Sequence, residues 1–209
     1  MQALDHNAYL ALRDGAQVLE ADRFGDKVLQ LRNGNFLKLF RRKRLLTSAA
    51  LYPYAQRFAD NASALQQRGV PCPQVLAVRD AVYYAPLPGL TLRQLFDKPE
   101  LAASLRTQLG EFVAQLHDSG VYFRSLHLGN IVLTPDKHLG LIDIADLKCQ
   151  RRALSTQKRM RNFQHILRVD TDRAWLEQQP DAAFFQAYAH SAKLSLSGCE
   201  LKARLHLST

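Results

Sequence analysis

The chain has 209 residues, of which 47% are hydrophobic, and its formal net charge is +9 at pH 7. This length supports one substantial core or two small lobes that share a cleft. No apolar run approaches the ~20 residues of a membrane span, and the polar N-terminus does not resemble a signal peptide, so we expect a soluble, cytoplasmic protein. Three widely spaced cysteines argue against a disulfide framework or a zinc site.

The positive charge is concentrated in two segments. Residues 27–44 and residues 148–168 each hold seven lysines and arginines and no acidic residue. Focused charge of this kind favours an anionic partner, such as a phosphorylated substrate, a nucleic acid or an acidic membrane surface. A solvated basic face is an equally good account of either segment. The run Arg41 to Arg44 in particular is typical of a solvated or membrane-facing patch.

Antiparallel strands are predicted in the first third of the chain, at residues 16–20, 27–31 and 36–40. A tight Asn-Gly turn joins the last two strands. On the third strand, Lys38 shares one face with two aromatic residues, Phe36 and Phe40. A lysine that serves only as a solvent-exposed surface residue is not usually flanked by aromatic residues on a strand face.

Helices dominate the rest of the predicted elements. The first helix follows Pro53 and presents one stripe, which consists of Tyr54, Phe58, Asn61 and Leu65. Two more strands, a Pro-Gly hinge at 88–89 and a long amphipathic helix over 101–119 come next. Two short strands, a helix over 155–169 and one or two final helices complete the order. The sequence therefore predicts an α+β chain in two lobes.

The stretch "YFRSLHLGNIVLTPDKHLGLIDIAD" carries the chemistry. Asn130 ends a loop, and Asp143 follows an apolar strand 13 residues later. Carboxylate and amide oxygens are ligands that Mg²⁺ accepts, and the ion remains partly hydrated. Asn130 and Asp143 are therefore candidate metal ligands.

The ordered elements resemble a compact protein-kinase-like fold over residues 16–170. That bilobal fold has a small β-rich N-lobe with one helix and a mainly helical C-lobe, here placed at residues 1–88 and 89–209 of one kinase-like domain. Within that superfamily, the chain resembles the bacterial lipopolysaccharide-core kinases, the Kdo and heptose kinases and their toluene-tolerance or InaA-like relatives. Three segments carry this resemblance: "GVPCPQVL", "YYAPLPGLTLRQLF" and "RRALSTQKRMRNFQHILR".

The resemblance implies an ATP- and Mg²⁺-dependent phosphotransferase that acts on a sugar hydroxyl of the phosphorylated lipopolysaccharide inner core. It implies that Lys38 contacts nucleotide phosphates, while Asn130 and Asp143 hold Mg²⁺. Work at the cytoplasmic face of the inner membrane follows from the basic patches. Substrate phosphates could be bound by cations of the second basic segment: Arg151, Arg152, Lys158, Arg159 and Arg161.

The sequence departs from the kinase pattern at the catalytic loop. "FRS" stands in place of "HRD", so Ser125 occupies the position of the catalytic aspartate. A serine hydroxyl is no general base near neutral pH without help. His127 could act as the base, or it could simply pack against the loop, and Arg124 could brace the loop.

The nucleotide-binding part departs as well. Gly25 and Gly34 do not form a glycine-rich phosphate loop. Lys38 lacks a glutamate partner, because Asp60 is the only carboxylate between residues 27 and 79 and Asn61 is on the apolar stripe instead. Asn61 is then the predicted neutral partner of Lys38.

Three functions remain open from sequence. The first is the lipopolysaccharide-core kinase. The second is a pseudokinase that binds a nucleotide or a protein partner and acts as a regulator or scaffold, which Ser125 and Asn61 favour. The third is nucleic-acid binding by the basic segments, and no recognised nucleic-acid motif supports it.

Overall fold

The computed structural model describes residues 2–3, 6–40, 52–178, 183–195 and 197–205. The chain divides into two compact units, Met1–Leu87 with Asp143–Asp146, and Pro88–Ile142 with Leu147–Thr209. The residue limits predicted for the two lobes stay a prediction. The run Arg41 to Arg44 lies outside the described residues.

The first unit is built on a six-stranded sheet with the order β1-β5-β6-β4-β3-β2. The short β1 is parallel to β5, and the other neighbours are antiparallel. The predicted strands are present, with ends that differ by a few residues. The bounds are β1 (Gln2–Ala3), β2 (Gln17–Asp22), β3 (Gly25–Gln30), β4 (Phe36–Leu39), β5 (Gln74–Val78) and β6 (Ala81–Ala85).

One face of this sheet, the outer face, is covered by a helix that the sequence patterns did not predict. Helix α1 (His6–Arg13) packs its residues Ala8, Tyr9 and Leu12 against buried Leu29 and Leu37. The helix has only eight residues, so its apolar positions are too few to give a clear period of 3.6. Its burial against the sheet stabilises it, since isolated helices of this length are marginal in water.

The opposite face, the inner face, carries the predicted helix α2 (Tyr54–Gln66), which begins directly after Pro53. Three of the four residues of the predicted stripe are buried, while Tyr54 is 41% exposed. Phe58 contacts the ring of Tyr84 at a centroid distance of 5.2 Å. These aromatic contacts hold α2 over the face of β4 that also carries Lys38.

The second unit combines short strands with most of the helices. Two small sheets have the orders β10-β9-β7 and β11-β8. Their strands are β7 (Leu90–Thr91), β8 (Val121–Phe123), β9 (Ile131–Leu133), β10 (Leu139–Leu141) and β11 (Leu147–Cys149). The helices are α3 (Pro99–Asp118), α4 (Thr156–Ile166), α5 (Asp170–Glu177), α6 (Ala183–Ser191) and α7 (Gly198–Arg204).

Helices α3 and α6 approach each other closely at Gly110. A side-chain carbon at this position would lie 2.3 Å from the carbonyl oxygen of Phe184 and 2.8 Å from the backbone nitrogen of Tyr188. Gly120 follows α3 with a φ of +79°, as a helix-ending glycine does. Within the described residues, no helix is long and apolar enough to cross a membrane.

Candidate active site

Lys38 and Asp143 meet in the first unit although 105 residues separate them in the chain. The Lys38 ammonium donates to Oδ1 of Asp143 at 2.5 Å, and the lysine side chain is only 14% exposed. The aromatic residues around Lys38 desolvate its stem, with Phe40 at 5.9 Å from the ammonium to the ring centroid. A half-buried ion pair of this kind holds both charges in place for a ligand.

The backbone of Asp143 is in the left-handed region, with a φ of +51°. Only glycine, asparagine and aspartate enter this region at low cost, and such residues concentrate at functional sites. The conformation turns the chain out of the preceding strand and into a short 3₁₀ turn at Ile144–Asp146. The Asp143 side chain is thereby left 52% exposed, so its carboxylate has room for a further ligand.

Asn61 of α2 anchors the segment that follows Asp143. Its side-chain amide donates to the carbonyl of Ile144 at 2.7 Å, and Asn61 is buried. Asp60, the neighbouring carboxylate, accepts hydrogen bonds from Tyr52 and Gln56. The assignment of Asn61 as a partner of Lys38 stays a prediction, and the carboxylate that meets Lys38 is Asp143.

Tyr84 lies on the same inner face of the sheet as Lys38. Burial is the largest cause that raises the pKa of Tyr84 above its ordinary value, and the carboxylates of Asp143 and Glu20 raise it further. The Tyr84 hydroxyl is therefore protonated at neutral pH and can donate a hydrogen bond.

In the second unit, the loop between β8 and β9 is held by Asn130. The side-chain amide nitrogen of Asn130 donates to the carbonyl of Ser125 at 3.0 Å, and its backbone nitrogen donates to His127 at 2.8 Å. The carbonyl of Asn130 accepts from Ile142 at 3.0 Å. Because the amide nitrogen is used within the loop, the side-chain oxygen of Asn130 is the atom that suits a cation.

The three predicted catalytic residues lie on this loop. Ser125 and His127 are half-buried, and Arg124 is exposed. Gly129 leaves the space between His127 and Arg93, since a side-chain carbon there would lie 3.0 Å from Arg93 Nη1 and 3.2 Å from His127 Nδ1. The catalytic roles of the three residues stay predictions.

Asp172 of α5 is a loop-supporting residue that the sequence reasoning missed. It is fully buried, and its carboxylate accepts from the backbone nitrogen of Leu128 at 2.8 Å. It also accepts two hydrogen bonds from Arg93, at 3.0 and 2.8 Å. Asp172 falls three and four positions before the buried Trp175 and Leu176, so its place on the apolar stripe could have identified it.

The second basic segment is not one uniform surface. Arg159 faces inward, with Nη2 at 2.6 Å from Asp118 and further hydrogen bonds to Leu154 and Tyr188. Arg151, Arg152 and Arg161 are exposed, and Lys158 donates to Gln150. Arg159 therefore holds helix α4 in place, and the exposed arginines are the cations open to an anionic ligand.

Asp143 and Asn130 offer oxygen donors of the kind that Mg²⁺ accepts. Among the residues that the structure describes, no group of three or more histidine, cysteine, aspartate or glutamate side chains could hold a metal. Magnesium needs no such cage, because it keeps several water ligands and takes one or two protein oxygens plus substrate phosphates. The half-exposed carboxylate of Asp143 and the oriented amide of Asn130 each fit that requirement.

The fold is protein-kinase-like. This chain is similar to a solved structure described as "WaaP in complex with acyl carrier protein", with a TM-score of 0.60 and 17% sequence identity. The match covers 96% of this chain and 87% of the chain in that structure. A second similar structure is the Rio2 kinase-ADP/Mg²⁺-phosphoaspartate complex from Chaetomium thermophilum, with a TM-score of 0.50 and 18% sequence identity. The match covers 84% of this chain and 62% of the chain in that structure.

Residues 92–188 match the family model described as "Lipopolysaccharide kinase (Kdo/WaaP) family". This match confirms the resemblance to the lipopolysaccharide-core kinases. Together with the protein-kinase-like fold, it supports a kinase of that family. No curated protein sequence matches the chain.

Proposed function

We propose that this protein is an ATP- and Mg²⁺-dependent phosphotransferase that acts on a sugar hydroxyl of the lipopolysaccharide inner core. The observation that carries the proposal is the contact between Lys38 and Asp143 at 2.5 Å, in a chain whose residues 92–188 match the lipopolysaccharide kinase family. A cation and an exposed carboxylate brought together from distant parts of the sequence are suited to a phosphate and its metal.

Each residue of the site has a distinct part in this proposal. Lys38 neutralises the phosphates of the nucleotide, and Asp143 provides the carboxylate for Mg²⁺. Asn130 as the second magnesium ligand rests on the resemblance, and so does the help of Asn61 in orienting Lys38. When bound, Mg²⁺ would supply neutralisation of the charge that develops on the transferred phosphoryl group.

The acceptor side lacks a carboxylate at position 125. Phosphoryl transfer passes through a loose transition state, so positioning and charge neutralisation carry most of the catalysis. Loss of a general base would cost about 10²–10⁴-fold, which leaves a slow enzyme. We assign His127 as the stand-in base, Ser125 as a hydrogen-bonding group for the acceptor hydroxyl, and Arg124 as the residue that braces the loop.

The charge distribution supports the proposed substrate and location. The exposed arginines Arg151, Arg152 and Arg161 are suited to bidentate contacts with phosphates of the inner core. The same charges attract anionic lipids, which supports action from the cytoplasm at the surface of the inner membrane. Nucleic acid is not among the proposed partners.

The thermal unfolding midpoint with ATP, with and without Mg²⁺, tests the nucleotide site. A ligand at 100 times its Kd stabilises the folded state by about 2.7 kcal/mol, which is about 5–10 °C for a chain of this size. The informative variant is Asp143→Asn, because asparagine tolerates the left-handed backbone while Asp143→Ala would add strain. We expect a Mg²⁺-dependent rise in wild type that this variant loses.

The matched control is Asp80→Asn, which removes an exposed carboxylate from a turn of the same unit. This variant should keep the full Mg²⁺-dependent rise. A rise that persists unchanged in Asp143→Asn would refute the metal assignment.

The alternative is a pseudokinase that acts as a nucleotide-binding regulator or scaffold. Ser125 at the position of the catalytic aspartate is the observation that favours it. Transfer of labelled phosphate from ATP to purified lipopolysaccharide core, lost in Asp143→Asn, would exclude the pseudokinase. Nucleotide binding without any transfer would favour it.

A further inference from the structure

Lys27 and Glu20 form a second ion pair on the sheet of the first unit. The pair joins the neighbouring strands β2 and β3, close to the turn between them. Both side chains are partly exposed, with 39% of Lys27 and 51% of Glu20 accessible. A ligand could therefore reach this pair.

Two bulges determine which face of the sheet Lys27 occupies. Val18 pairs with Leu29, Glu20 with Val28, and Ala21 with Asp26, so Leu19 and Lys27 are extra residues in their strands. A bulge redirects side chains because it interrupts the strict alternation of the strand. Lys27 is the extra residue that breaks the alternation of β3.

The neighbours of Lys27 show the result of this redirection. Leu29 is buried under α1, and Asp26 forms an ion pair with Arg13 of α1 at 3.0 Å. Both residues therefore point to the outer face. Val28 is paired with Lys38 and therefore points to the inner face. Lys27 lies between Asp26 and Val28, and the bulge places its side chain on the inner face beside Val28.

Glu20 and Lys38 lie in one row across the sheet. The row runs through cross-strand partners from Glu20 to Val28, to Lys38 and to Val82. Two strand spacings of about 4.8 Å separate Glu20 from Lys38, or about 10 Å between Cα atoms. Lys27 is on β3, the strand that separates Glu20 from Lys38, so the two lysines are on neighbouring strands.

The electrostatics agree with this geometry. The hydrogen bond to Glu20 is the largest cause that raises the pKa of Lys27, and the carboxylates of Asp22 and Asp143 add to it. Lys27 therefore lies in the field of the same carboxylate that pairs with Lys38.

The turn between β2 and β3 explains the need for a second cation. A single glycine, Gly25, follows the turn as the first residue of β3, and the backbone nitrogen of Phe24 donates to the carboxylate of Asp22 at 2.9 Å. This amide is thus already used within the turn, and the nearby carboxylate disfavours an anion. A phosphate beside this turn needs a side-chain donor instead of a cradle of backbone amides.

We propose that Lys27 is a second phosphate-binding residue, which Glu20 holds in place until the terminal phosphates of a nucleoside triphosphate replace the carboxylate. This inference rests on the proposed function and adds a residue to the same site. Glu20 competes with the ligand for Lys27, so the two members of the pair have opposite effects on binding.

Titration calorimetry with ATP and with AMP, each with Mg²⁺, tests the proposal in Lys27→Gln, Glu20→Gln and wild type. Lys27→Gln should weaken ATP binding about 10-fold and AMP binding less than about twofold, because AMP lacks the terminal phosphates. Glu20→Gln should tighten ATP binding, by about threefold. Arg32→Gln is the matched control, since it removes an exposed cation from the turn between β3 and β4, paired only loosely with Asp14 at 4.0 Å, and it should leave both affinities unchanged.

Lys38→Gln separates this inference from the proposed function. If Lys38→Gln weakens ATP binding while Lys27→Gln does not, the second phosphate contact is wrong and the nucleotide site stands. If Lys27→Gln and Glu20→Gln both weaken ATP binding to the same extent, the pair is only structural and the inference is wrong. If wild type binds no ATP, the proposed function and the inference both fall.

Discussion

Arg93 and Asp172 form a two-bonded ion pair in the second unit, with Nε to Oδ1 at 3.0 Å and Nη2 to Oδ2 at 2.8 Å. The carboxylate is fully buried and also accepts the backbone nitrogen of Leu128. The loop that carries Ser125 and His127 is thus fastened to helix α5 through one charged group. Its rigidity depends on that charge.

Asp172→Asn should destabilise the protein, because it keeps the shape and removes the charge that neutralises Arg93. Breaking a buried pair costs about 3–5 kcal/mol, and the 40% exposure of Arg93 reduces the expected loss to about 2–3 kcal/mol. Urea unfolding measures it. Asp170→Asn on the same helix removes an exposed partner of Arg173 and should cost less than about 1 kcal/mol. Equal losses in the two variants would contradict this account.

The protein should lose stability in mild acid through His117. This residue is fully buried between Tyr188 and Asn162, at 2.8 and 3.2 Å. Burial, with Arg159 nearby, lowers the pKa of His117 from 6.5 to about 3. Below pH 6.5 His117 binds a proton in the unfolded chain but not in the folded chain. The free energy of unfolding therefore decreases as the pH is lowered from about 6.5 to about 3.

The slope of the unfolding free energy against pH measures this proton. Between pH 4 and 6, wild type should lose about 1.4 kcal/mol per pH unit more than His117→Gln. The slope is informative whatever the difference in stability between the two proteins at any single pH. Substitution of the exposed His190 by glutamine should leave the slope unchanged.

Gly110→Ala should destabilise the contact between α3 and α6. Alanine would favour the helix by about 1 kcal/mol, but its side-chain carbon would lie 2.3 Å from a backbone oxygen that has no freedom to rotate away. We expect a net loss of about 2 kcal/mol, in the range of overpacked cores. Thr107→Ala, an exposed change on the same helix, should stay within about 0.5 kcal/mol of wild type. A stabilised Gly110→Ala variant would show that the helices separate at little cost.

The cysteines should differ in their reaction with a thiol reagent at pH 8. Burial raises the pKa of the Cys72 thiol to about 11, so only about one molecule in 10³ is a thiolate there. Cys199 is exposed and should be modified first. Mass spectrometry of the digested protein identifies the modified residue at each time. Faster labelling of Cys72 than of Cys199 would show that α2 opens readily.

The sequence predicted the parts of this fold that have clear periodicity. The stripe of α2 and the alternation of β4 were visible because their buried residues recur at regular spacing. Helix α1 was missed because eight residues give too short a pattern, and the short β8 and β11 because three residues give none. Burial against the rest of the unit, rather than local preference, stabilises such elements.

The candidate site divides in the same way. Lys38, Asn130 and Asp143 could be selected because their order along the chain matches a known arrangement. The contact between Lys38 and Asp143 and the double role of Asp172 could not, because no local pattern relates residues that lie 105 or 44 positions apart. The position of Lys27 depends on a bulge, which the sequence does not reveal.

The Lys38–Asp143 pair also couples the binding of an anion to the binding of a cation. An anion that takes Lys38 leaves the Asp143 carboxylate without its partner, and a cation that takes Asp143 releases the lysine. The first ligand to bind therefore breaks the ion pair, and the second ligand no longer has to supply the free energy for breaking it. The two ligands should bind with positive cooperativity. For the proposed ligands, thermodynamic linkage requires that ATP strengthens Mg²⁺ binding by the same factor as Mg²⁺ strengthens ATP binding. In the proposed function, a metal–nucleotide complex would therefore displace this ion pair more easily than either component alone.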